Sequence, residues 1–358
     1  MAEAAERRDA YWGRCTTYSR KVFVPLTNMC RDTCGYCTFV KHPSDPAAEI
    51  LTPHQVLALA RKGATQGCKE LLFSLGEKPE ERYEAAATAL ARLGYSRMTD
   101  YLAEMCALVL AETPLLPHVN AGTLSDDEID RLKPVSASMG MMLETVSRRL
   151  TQKGMAHHAC PDKVPVQRLR TLERTGAKAV PFTTGLLIGI GETWEERIAS
   201  LLAINAAHVR HGHIQEVIVQ NFQRKPDIAM AAHPEPALDD MLRTIAAARI
   251  ILDPEISLQA PPNLHARHIA YLDAGINDWG GISPVTIDFI NPGHDWPEIR
   301  VLRDSCAAAG FGLEERLTVY PRFIEARSAY LNSALHQRIV EMARHDGLAR
   351  RQTIEAAE

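Results

Sequence analysis

Residues 22–37 read Val-Phe-Val-Pro-Leu-Thr-Asn-Met-Cys-Arg-Asp-Thr-Cys-Gly-Tyr-Cys, an apolar run that leads directly into three closely spaced cysteines. The β-branched and apolar residues at its start predict a strand over Val22–Asn28. Cys30, Cys34 and Cys37 therefore follow the carboxyl end of that strand on one loop. Because active sites of α/β barrels are built at this end of the strands, the cysteine loop is the first candidate site.

Strand-like runs and helical stretches alternate from this segment almost to the end of the chain. The predicted strands are Val22–Asn28, Glu70–Leu75, Pro117–Ala121, Ala137–Leu143, Ala179–Ile188, Glu216–Asn221, Ser257–Ala260 and Asp278–Ile282. Such alternation indicates a parallel sheet with helical crossovers, and about eight strands suffice to close a barrel. We therefore expect an α/β fold, a TIM-type (β/α)8 barrel in a single domain with a C-terminal helical tail.

The expected organisation is an N-terminal leader over residues 1–20, the barrel over residues 21–323, and a C-terminal helix and tail over residues 324–358. Capping residues Thr52, Ser125 and Thr193 predict helix starts. The stretch Glu81–Glu112 is expected to hold two helices separated near Gly94. The segment Ile324–Leu348 is expected to be one helix, and the last ten residues are expected to be disordered.

Composition limits the possible partners. The chain has 358 residues, 46% of them hydrophobic, and a formal net charge of -4, so it lacks the basic excess typical of nucleic-acid binding. It has no apolar run of about 18 residues and no signal-peptide pattern at its start. We expect a cytoplasmic protein with neither a nucleic-acid nor a membrane partner, in which cysteines are thiols or metal ligands.

The spacing of Cys30, Cys34 and Cys37 lets one short loop place three thiolates around a cubane cluster. One iron would then lack a protein thiolate, whereas clusters that only carry electrons usually have four cysteine ligands. The other cysteines are scattered along the sequence, at Cys15, Cys68, Cys106, Cys160 and Cys306. Zinc is the alternative metal, but it usually takes paired C-x2-C units or histidines, and the nearest histidine, His42, lies beyond the loop.

The C-x3-C-x-aromatic-C pattern resembles that of the radical S-adenosylmethionine (SAM) superfamily. This resemblance implies a [4Fe-4S] cluster on the three cysteines, with the amino and carboxylate groups of SAM chelating the open iron. One-electron reduction then cleaves SAM to a 5′-deoxyadenosyl radical. Tyr36 matches the aromatic position that lies against adenine in the superfamily.

Other matches place further cofactor-binding residues. Gly76 and Glu77 resemble the Gly-Gly-Glu motif that meets the methionyl amino group, although only one of its glycines is present. Glu144 and Arg168 match positions that contact the two ends of SAM in the biotin-synthase-like branch. Gly189 belongs to a segment similar to the glycine-rich strand beside adenine in that branch. An ordinary turn at Gly76 and a solvated Arg168 are the alternatives.

Longer motifs are similar to one family, the CofG-type 7,8-didemethyl-8-hydroxy-5-deazariboflavin synthases. They are the segments 22–28, 181–193, 259–264 and 274–286. The resemblance implies ring closure of 5-amino-5-(4-hydroxybenzyl)-6-(D-ribitylimino)-5,6-dihydrouracil with release of ammonium, in coenzyme F-420 biosynthesis. It also implies a CofH-type 4-hydroxybenzyl transferase subunit that supplies this substrate, and a ferredoxin- or flavodoxin-type reductant.

Polar residues after the later strands are candidates for contact with such a substrate, because its carbonyl, NH and hydroxyl groups need polar partners. They are Gln220, Asn221, Gln259, Asn263, Asn277 and Ser283. Asp278 and Asp288 are the candidate catalytic carboxylates for proton transfer. Each of these residues has an alternative role in ordering loops.

Two other functions remain open from the sequence. One is the CofH-type half-reaction, the transfer of the 4-hydroxybenzyl group of tyrosine to 5-amino-6-(D-ribitylamino)uracil. The other is an iron–sulfur electron carrier without SAM chemistry.

Overall fold

A computed structural model describes residues 1–326 and 329–351. Its strands are β1 (Cys15–Pro25), β2 (Glu70–Ser74), β3 (Leu116–Asn120), β4 (Ser138–Gly140), β5 (Phe182–Ile188), β6 (Ile214–Asn221), β7 (Ser257–Gln259), β8 (Asp278–Ile282) and β9 (Gly312–Glu315). Its α-helices are α1 (Ala2–Trp12), α2 (Pro53–Thr65), α3 (Glu84–Arg92), α4 (Met98–Glu112), α5 (Asp126–Leu132), α6 (Pro165–Ala177), α7 (Trp194–His211), α8 (Leu238–Ile251), α9 (Tyr271–Ala274), α10 (Ile299–Ala308), α11 (Pro321–Glu325) and α12 (Ser333–Met342).

Strands β1 to β8 close into a parallel barrel. The sheet order runs from β2 through β8 to β1, and β1 also pairs with β2, which closes the ring. Strand β1 is long enough to contact three neighbours, because its residues 15–18 pair with β9, its residues 17–20 with β8 and its residues 21–25 with β2. The predicted (β/α)8 barrel is confirmed.

Helix starts follow the predicted caps. Thr52, Ser125 and Thr193 each form a capping box, in which the side chain of the cap accepts a backbone N–H and a Gln or Glu bonds back to the cap. Helices α3 and α4 are separated around Gly94, as the sequence predicts. Among the residues that the structure describes, no helix is both long and apolar enough to span a bilayer.

The chain ends differ from the sequence prediction. Residues 1–20, expected as a leader, form α1 and the first part of β1, so strand pairing begins at Cys15. The single helix predicted over Ile324–Leu348 is wrong, since two short helices, α11 and α12, occupy this part of the chain. Strand β9 is an addition that the sequence prediction lacks. The last ten residues are expected to be disordered, but Ala349 is buried and forms an antiparallel bridge with Ala343; residues 352–358 lie outside the described residues.

Candidate active site

The cysteine loop runs from the end of β1 to the start of α2, and its base is fixed. Thr27 and Ile50 form an antiparallel bridge, and Leu51 N donates to Leu26 O at 2.9 Å. Gly76, after β2, packs against the loop, where an added Cβ would lie 1.9 Å from Met29 O. Only glycine fits there, so the end of β2 helps to set the position of the loop.

The three cysteines of the loop open on one cavity of about 250 Å³, the outer chamber. Cys30 Sγ accepts two backbone N–H groups, from Asp32 at 3.3 Å and from Glu77 at 3.1 Å. Burial nevertheless raises the pKa of the Cys30 thiol to about 12, so a thiolate there needs a cation beside it. A metal cluster supplies this charge, and the residues present therefore fit an iron–sulfur cluster.

A fourth cysteine lies close to the triad in the fold, although the cysteines outside the triad are scattered along the sequence. Cys160 is buried, and its Sγ lies 3.8 Å from Cys34 Sγ, to which it donates. This hydrogen bond lowers the pKa of Cys34. The distance suits a thiol beside a ligand of the cluster.

Glu144 is the centre of an ionic network in the outer chamber. Its carboxylate lies 2.6 Å from Lys163 Nζ and 2.9 Å from His157 Nε2, and it accepts the Tyr36 hydroxyl at 2.5 Å. Burial would raise the pKa of Glu144, but Lys163, His157 and Arg168 hold it well below its usual range. Glu144 also has a φ of 64°, which costs a non-glycine residue roughly 1–3 kcal/mol and is typical of functional sites.

Arg168 links Glu144 to Glu77 across the same chamber. Its guanidinium lies 3.8 Å from the Glu144 carboxylate and 3.7 Å from that of Glu77, and its Nε donates to Met142 O at 2.8 Å. Burial raises the pKa of Glu77 to about 7, although Arg168 opposes this. The alternative of a solvated Arg168 is wrong, because the residue is 3% exposed.

A second cavity of about 180 Å³, the inner chamber, lies in the barrel next to the outer one. Five residues line both, so the two chambers share a wall: Ser74, Asn120, Met142, Gln220 and Ile290. An aromatic pair lines the inner chamber, with the rings of Phe23 and Trp296 stacked at 5.3 Å and 5°. Its apolar surface suits a flat ring.

Buried ionisable side chains also line the inner chamber. Lys21 Nζ lies 2.7 Å from Glu70 Oε1, and Arg316 lies 2.8 Å from Glu216 Oε1. Burial raises the pKa of Glu216 to about 7, with Arg316 opposing it. Burial would raise the pKa of Glu70, but nearby charges lower it to about 2, and Lys21 is the first of these charges. The lining thus combines fixed charges with a carboxyl that can exchange a proton near neutral pH.

Four of the predicted substrate-site and catalytic residues line the chambers. Gln259 and Asp288 line the inner chamber, Asn221 the outer chamber, and Gln220 both. Asn221 Oδ1 is buried and without a hydrogen-bond partner among the described residues, which marks a place for a donor group of a ligand. Their roles in binding and catalysis remain predictions.

Other predicted residues lie elsewhere. Asn277 bonds Arg249 and Ser257 behind the strands, and Ser283 caps a turn through the amides of Val285 and Thr286. Asn263 joins Asp288 to the carbonyl of His294. Gly189, with a φ of 85°, lies in the turn after β5, where its N–H donates to Glu192. None of these four is among the described residues that line the two chambers.

Asp278 is fully buried behind the inner chamber and does not line it. It forms an ion pair with Arg316 at 2.7 Å and accepts the N–H of Gly280 at 2.6 Å. The next residue along β8, Trp279, points to the opposite face of the strand, where its Nε1 donates to Thr16. The geometry therefore connects Asp278 to the chamber through the guanidinium of Arg316.

Comparison with known proteins agrees with this geometry. Residues 24–204 match the model of the Radical SAM superfamily. The 7,8-didemethyl-8-hydroxy-5-deazariboflavin synthase of Methanopyrus kandleri is 46% identical over 336 residues, which cover 93% of this chain and 99% of that protein. The chain belongs to this family of radical SAM proteins. It is also 49% identical over 346 residues to the FO synthase of Nocardia farcinica, of whose length it spans 40%.

Two solved structures of other proteins share the fold. The chain superposes on the [FeFe]-hydrogenase maturase HydG of Carboxydothermus hydrogenoformans with a TM-score of 0.70 and 16% identity, covering 94% of this chain and 79% of that one. It superposes on methylornithine synthase (PylB) with a TM-score of 0.66 and 16% identity, covering 87% of each. The family brings a [4Fe-4S] cluster and SAM as cofactors, and Cys30, Cys34 and Cys37 are the residues that fit the cluster.

Several residues of the site were not predicted from the sequence. They are Lys21, Glu70, His118, His157, Cys160, Lys163, Glu216 and Arg316. A signal was present for Lys21, Glu70 and Glu216, because each is a charged residue within or at the start of a strand that the barrel buries. Charged side chains are rarely buried unless paired, so their presence in such strands predicts an ionic cluster.

Proposed function

We propose that the chain is a 7,8-didemethyl-8-hydroxy-5-deazariboflavin synthase that closes the central ring of 5-amino-5-(4-hydroxybenzyl)-6-(D-ribitylimino)-5,6-dihydrouracil and releases ammonium. The observation that carries the proposal is the shared wall between the two chambers. It puts a cysteine-lined cavity against a cavity with polar and aromatic walls. The similarity to the Methanopyrus kandleri protein along its whole length supports the same reaction.

In this proposal, Cys30, Cys34 and Cys37 hold the cluster. Glu144 and Arg168 receive the methionyl amino and carboxylate groups of SAM, because their opposite charges match those groups. The bound cofactors supply a 5′-deoxyadenosyl radical. Tyr36 is fixed by its bond to Glu144 and provides the wall beside adenine.

The inner chamber provides the groups that the substrate needs. The stacked pair of Phe23 and Trp296 gives an apolar wall for the phenol ring. The amides of Gln220 and Gln259 have no hydrogen-bond partner within the described part of the chain, and they suit the carbonyl and NH groups of the pyrimidine.

The overall balance defines an ammonia-releasing lyase. Relative to the substrate, the product lacks one NH3 and two hydrogens. One hydrogen is transferred to 5′-deoxyadenosine, and the other leaves as a proton and an electron. SAM is the net two-electron acceptor and yields methionine, while the released proton departs with ammonia as ammonium.

Two partners complete the proposal. The chain has a single cysteine triad, which lines the outer chamber, and this triad serves one half-reaction. A CofH-type 4-hydroxybenzyl transferase therefore supplies the substrate. A ferredoxin- or flavodoxin-type protein supplies the electrons.

An anaerobic assay of the reconstituted protein with SAM, dithionite and the CofH-type product tests the proposal. The expected result is a fluorescent deazaflavin of the correct mass together with equal amounts of 5′-deoxyadenosine and ammonium. A parallel reaction receives tyrosine and 5-amino-6-(D-ribitylamino)uracil instead. Product only in the parallel reaction would assign the transferase half-reaction, and a reducible cluster that never yields 5′-deoxyadenosine would assign an electron carrier.

A further inference from the structure

His118 lines the inner chamber with its two ring nitrogens in different surroundings. Nδ1 lies 2.7 Å from Ser138 Oγ and 3.3 Å from Thr318 Oγ1. Nε2 has no hydrogen-bond partner among the residues that the structure describes, although His118 is only 5% exposed. A buried polar atom without a partner is expected to meet a ligand or water.

Gly140 keeps this nitrogen open. A Cβ added at position 140 would lie 2.9 Å from His118 Nε2, and both residues line the inner chamber. Any other residue at 140 would therefore cover the nitrogen or displace the ring. The glycine and the histidine together give one nitrogen that faces the chamber.

The neighbours of Nδ1 favour one tautomer. The Ser138 hydroxyl donates to the backbone oxygen of Thr318 at 3.2 Å, and a carbonyl oxygen can only accept. When the Ser138 hydrogen is directed to this oxygen or to Thr318 Oγ1, which lies 2.7 Å away, Ser138 Oγ accepts the hydrogen of Nδ1. Nε2 then carries a free lone pair.

Burial keeps the His118 ring neutral. Glu70 from β2, Lys21 from β1 and Arg316 after β9 act on it, and its hydroxyl neighbours are uncharged. Burial lowers the pKa of His118 to about 4; Glu70 opposes this effect, and Lys21 and Arg316 add to it. The imidazole is therefore a neutral base over the whole physiological pH range.

We propose that His118 Nε2 is the proton acceptor of the inner chamber, a role that rests on the ring closure proposed above. In that step a C–N bond forms at a phenol ring carbon and the C–H bond of the same carbon breaks. The proton passes to Nε2, and the electron left behind is the second of the two that SAM accepts overall. The imidazolium then gives its proton to the departing ammonia, which leaves as ammonium, and the neutral ring is restored.

Two variants remove the base in different ways. In His118→Asn, the amide can keep the bond to Ser138 but reaches no further, whereas His118→Gln places an amide near the position of Nε2 without a basic nitrogen. Both should form deazaflavin at least about 100-fold more slowly, the usual contribution of a positioned base. Both should still form 5′-deoxyadenosine within about threefold of the wild-type rate, with the substrate KM little changed.

The matched control is His213→Gln, since His213 is equally buried and lines neither chamber; it should retain coupled turnover. Gly140→Ala provides a test that keeps His118 itself. Its added methyl group would cover Nε2 or displace the ring, so the same uncoupling of 5′-deoxyadenosine from deazaflavin is expected. This variant decides the question if both His118 variants fail to fold.

The outcomes are distinct. Deazaflavin at the wild-type rate in a folded His118 variant would overturn the inference, as would a parallel loss of 5′-deoxyadenosine and deazaflavin, which indicates a role in binding. Wild-type protein that forms no deazaflavin would overturn the proposed function itself, and the inference with it. Uncoupling in the variants, with coupled turnover in the wild type and in His213→Gln, would support both.

Discussion

The two chambers share a wall but are built differently. The outer chamber takes its three candidate cluster ligands from an eight-residue stretch of one loop, Cys30 to Cys37. The inner chamber takes its ionisable groups one at a time from separate parts of the barrel, namely Lys21, Glu70, His118, Glu216, Asp288 and Arg316. A local motif thus defines the candidate cofactor site, whereas the candidate substrate site exists only once the barrel has closed.

The largest effect is expected from the cysteine loop. Replacing Cys30, Cys34 or Cys37 singly by Ala should abolish both cluster binding and formation of 5′-deoxyadenosine, because each thiolate holds one iron. Cys68→Ala and Cys306→Ala are the controls, since both thiols are buried outside the chambers. Iron and sulfide analysis gives the readout, and full iron content with turnover in any triad variant would contradict the assignment.

A smaller effect is expected at the ionic network of the outer chamber. Glu144→Gln and Arg168→Ala should weaken SAM binding by at least about tenfold, because a charge-assisted hydrogen bond contributes roughly 1.5–3 kcal/mol. The cluster should remain intact, as neither side chain is a ligand. Equilibrium binding of SAM to the reconstituted protein measures this, and unchanged affinity in both variants would refute the assigned contacts.

A change confined to the inner chamber should spare SAM. Gln259→Leu removes an amide that has no protein partner within the described residues, so we expect the substrate KM to rise at least about fivefold, in line with roughly 1–3 kcal/mol for an unpaired buried group. SAM affinity should stay at the wild-type value. Equal losses of SAM and substrate affinity would mean that the chambers are not separate sites.

The smallest effect concerns stability and pH. The folded-state pKa of Glu216 is about 7, above its ordinary value of 4.5; its contribution to folding is therefore complete below about pH 4.5 and is lost as the pH rises through 7. Relative to Glu216→Gln, the wild-type protein should lose a few degrees of melting temperature between pH 5 and pH 8. Parallel melting curves for the two proteins across this range would show that Glu216 does not titrate there.

The sequence predicts the fold well where a pattern is local. The capping boxes of α2, α5 and α7 and the alternation of strands and helices are all local, and each is confirmed. Strand β9 is different, because Gly312-Leu-Glu-Glu has no apolar alternation and becomes a strand only by pairing with Cys15–Tyr18. The terminal segment, similarly, breaks into two helices that the helical pattern alone does not separate.

The candidate site divides in the same way. The cysteine triad, Tyr36 and Glu77 belong to short motifs, and they meet in the outer chamber. Asp278 is of a residue type that often takes part in catalysis. The sequence does not show that Arg316, 38 residues later, lies between it and the chamber. No sequence pattern marks His118 as a site residue, because its role depends on the space left by Gly140.

A crystal structure of the reconstituted protein, grown anaerobically with SAM and the CofH-type product, tests the separation of the two chambers most directly. We expect SAM in the outer chamber between the cysteine loop and Glu144, and the second molecule in the inner chamber with a group in contact with His118 Nε2. Density for that molecule outside the barrel, or in the inner chamber but turned away from His118, would contradict it.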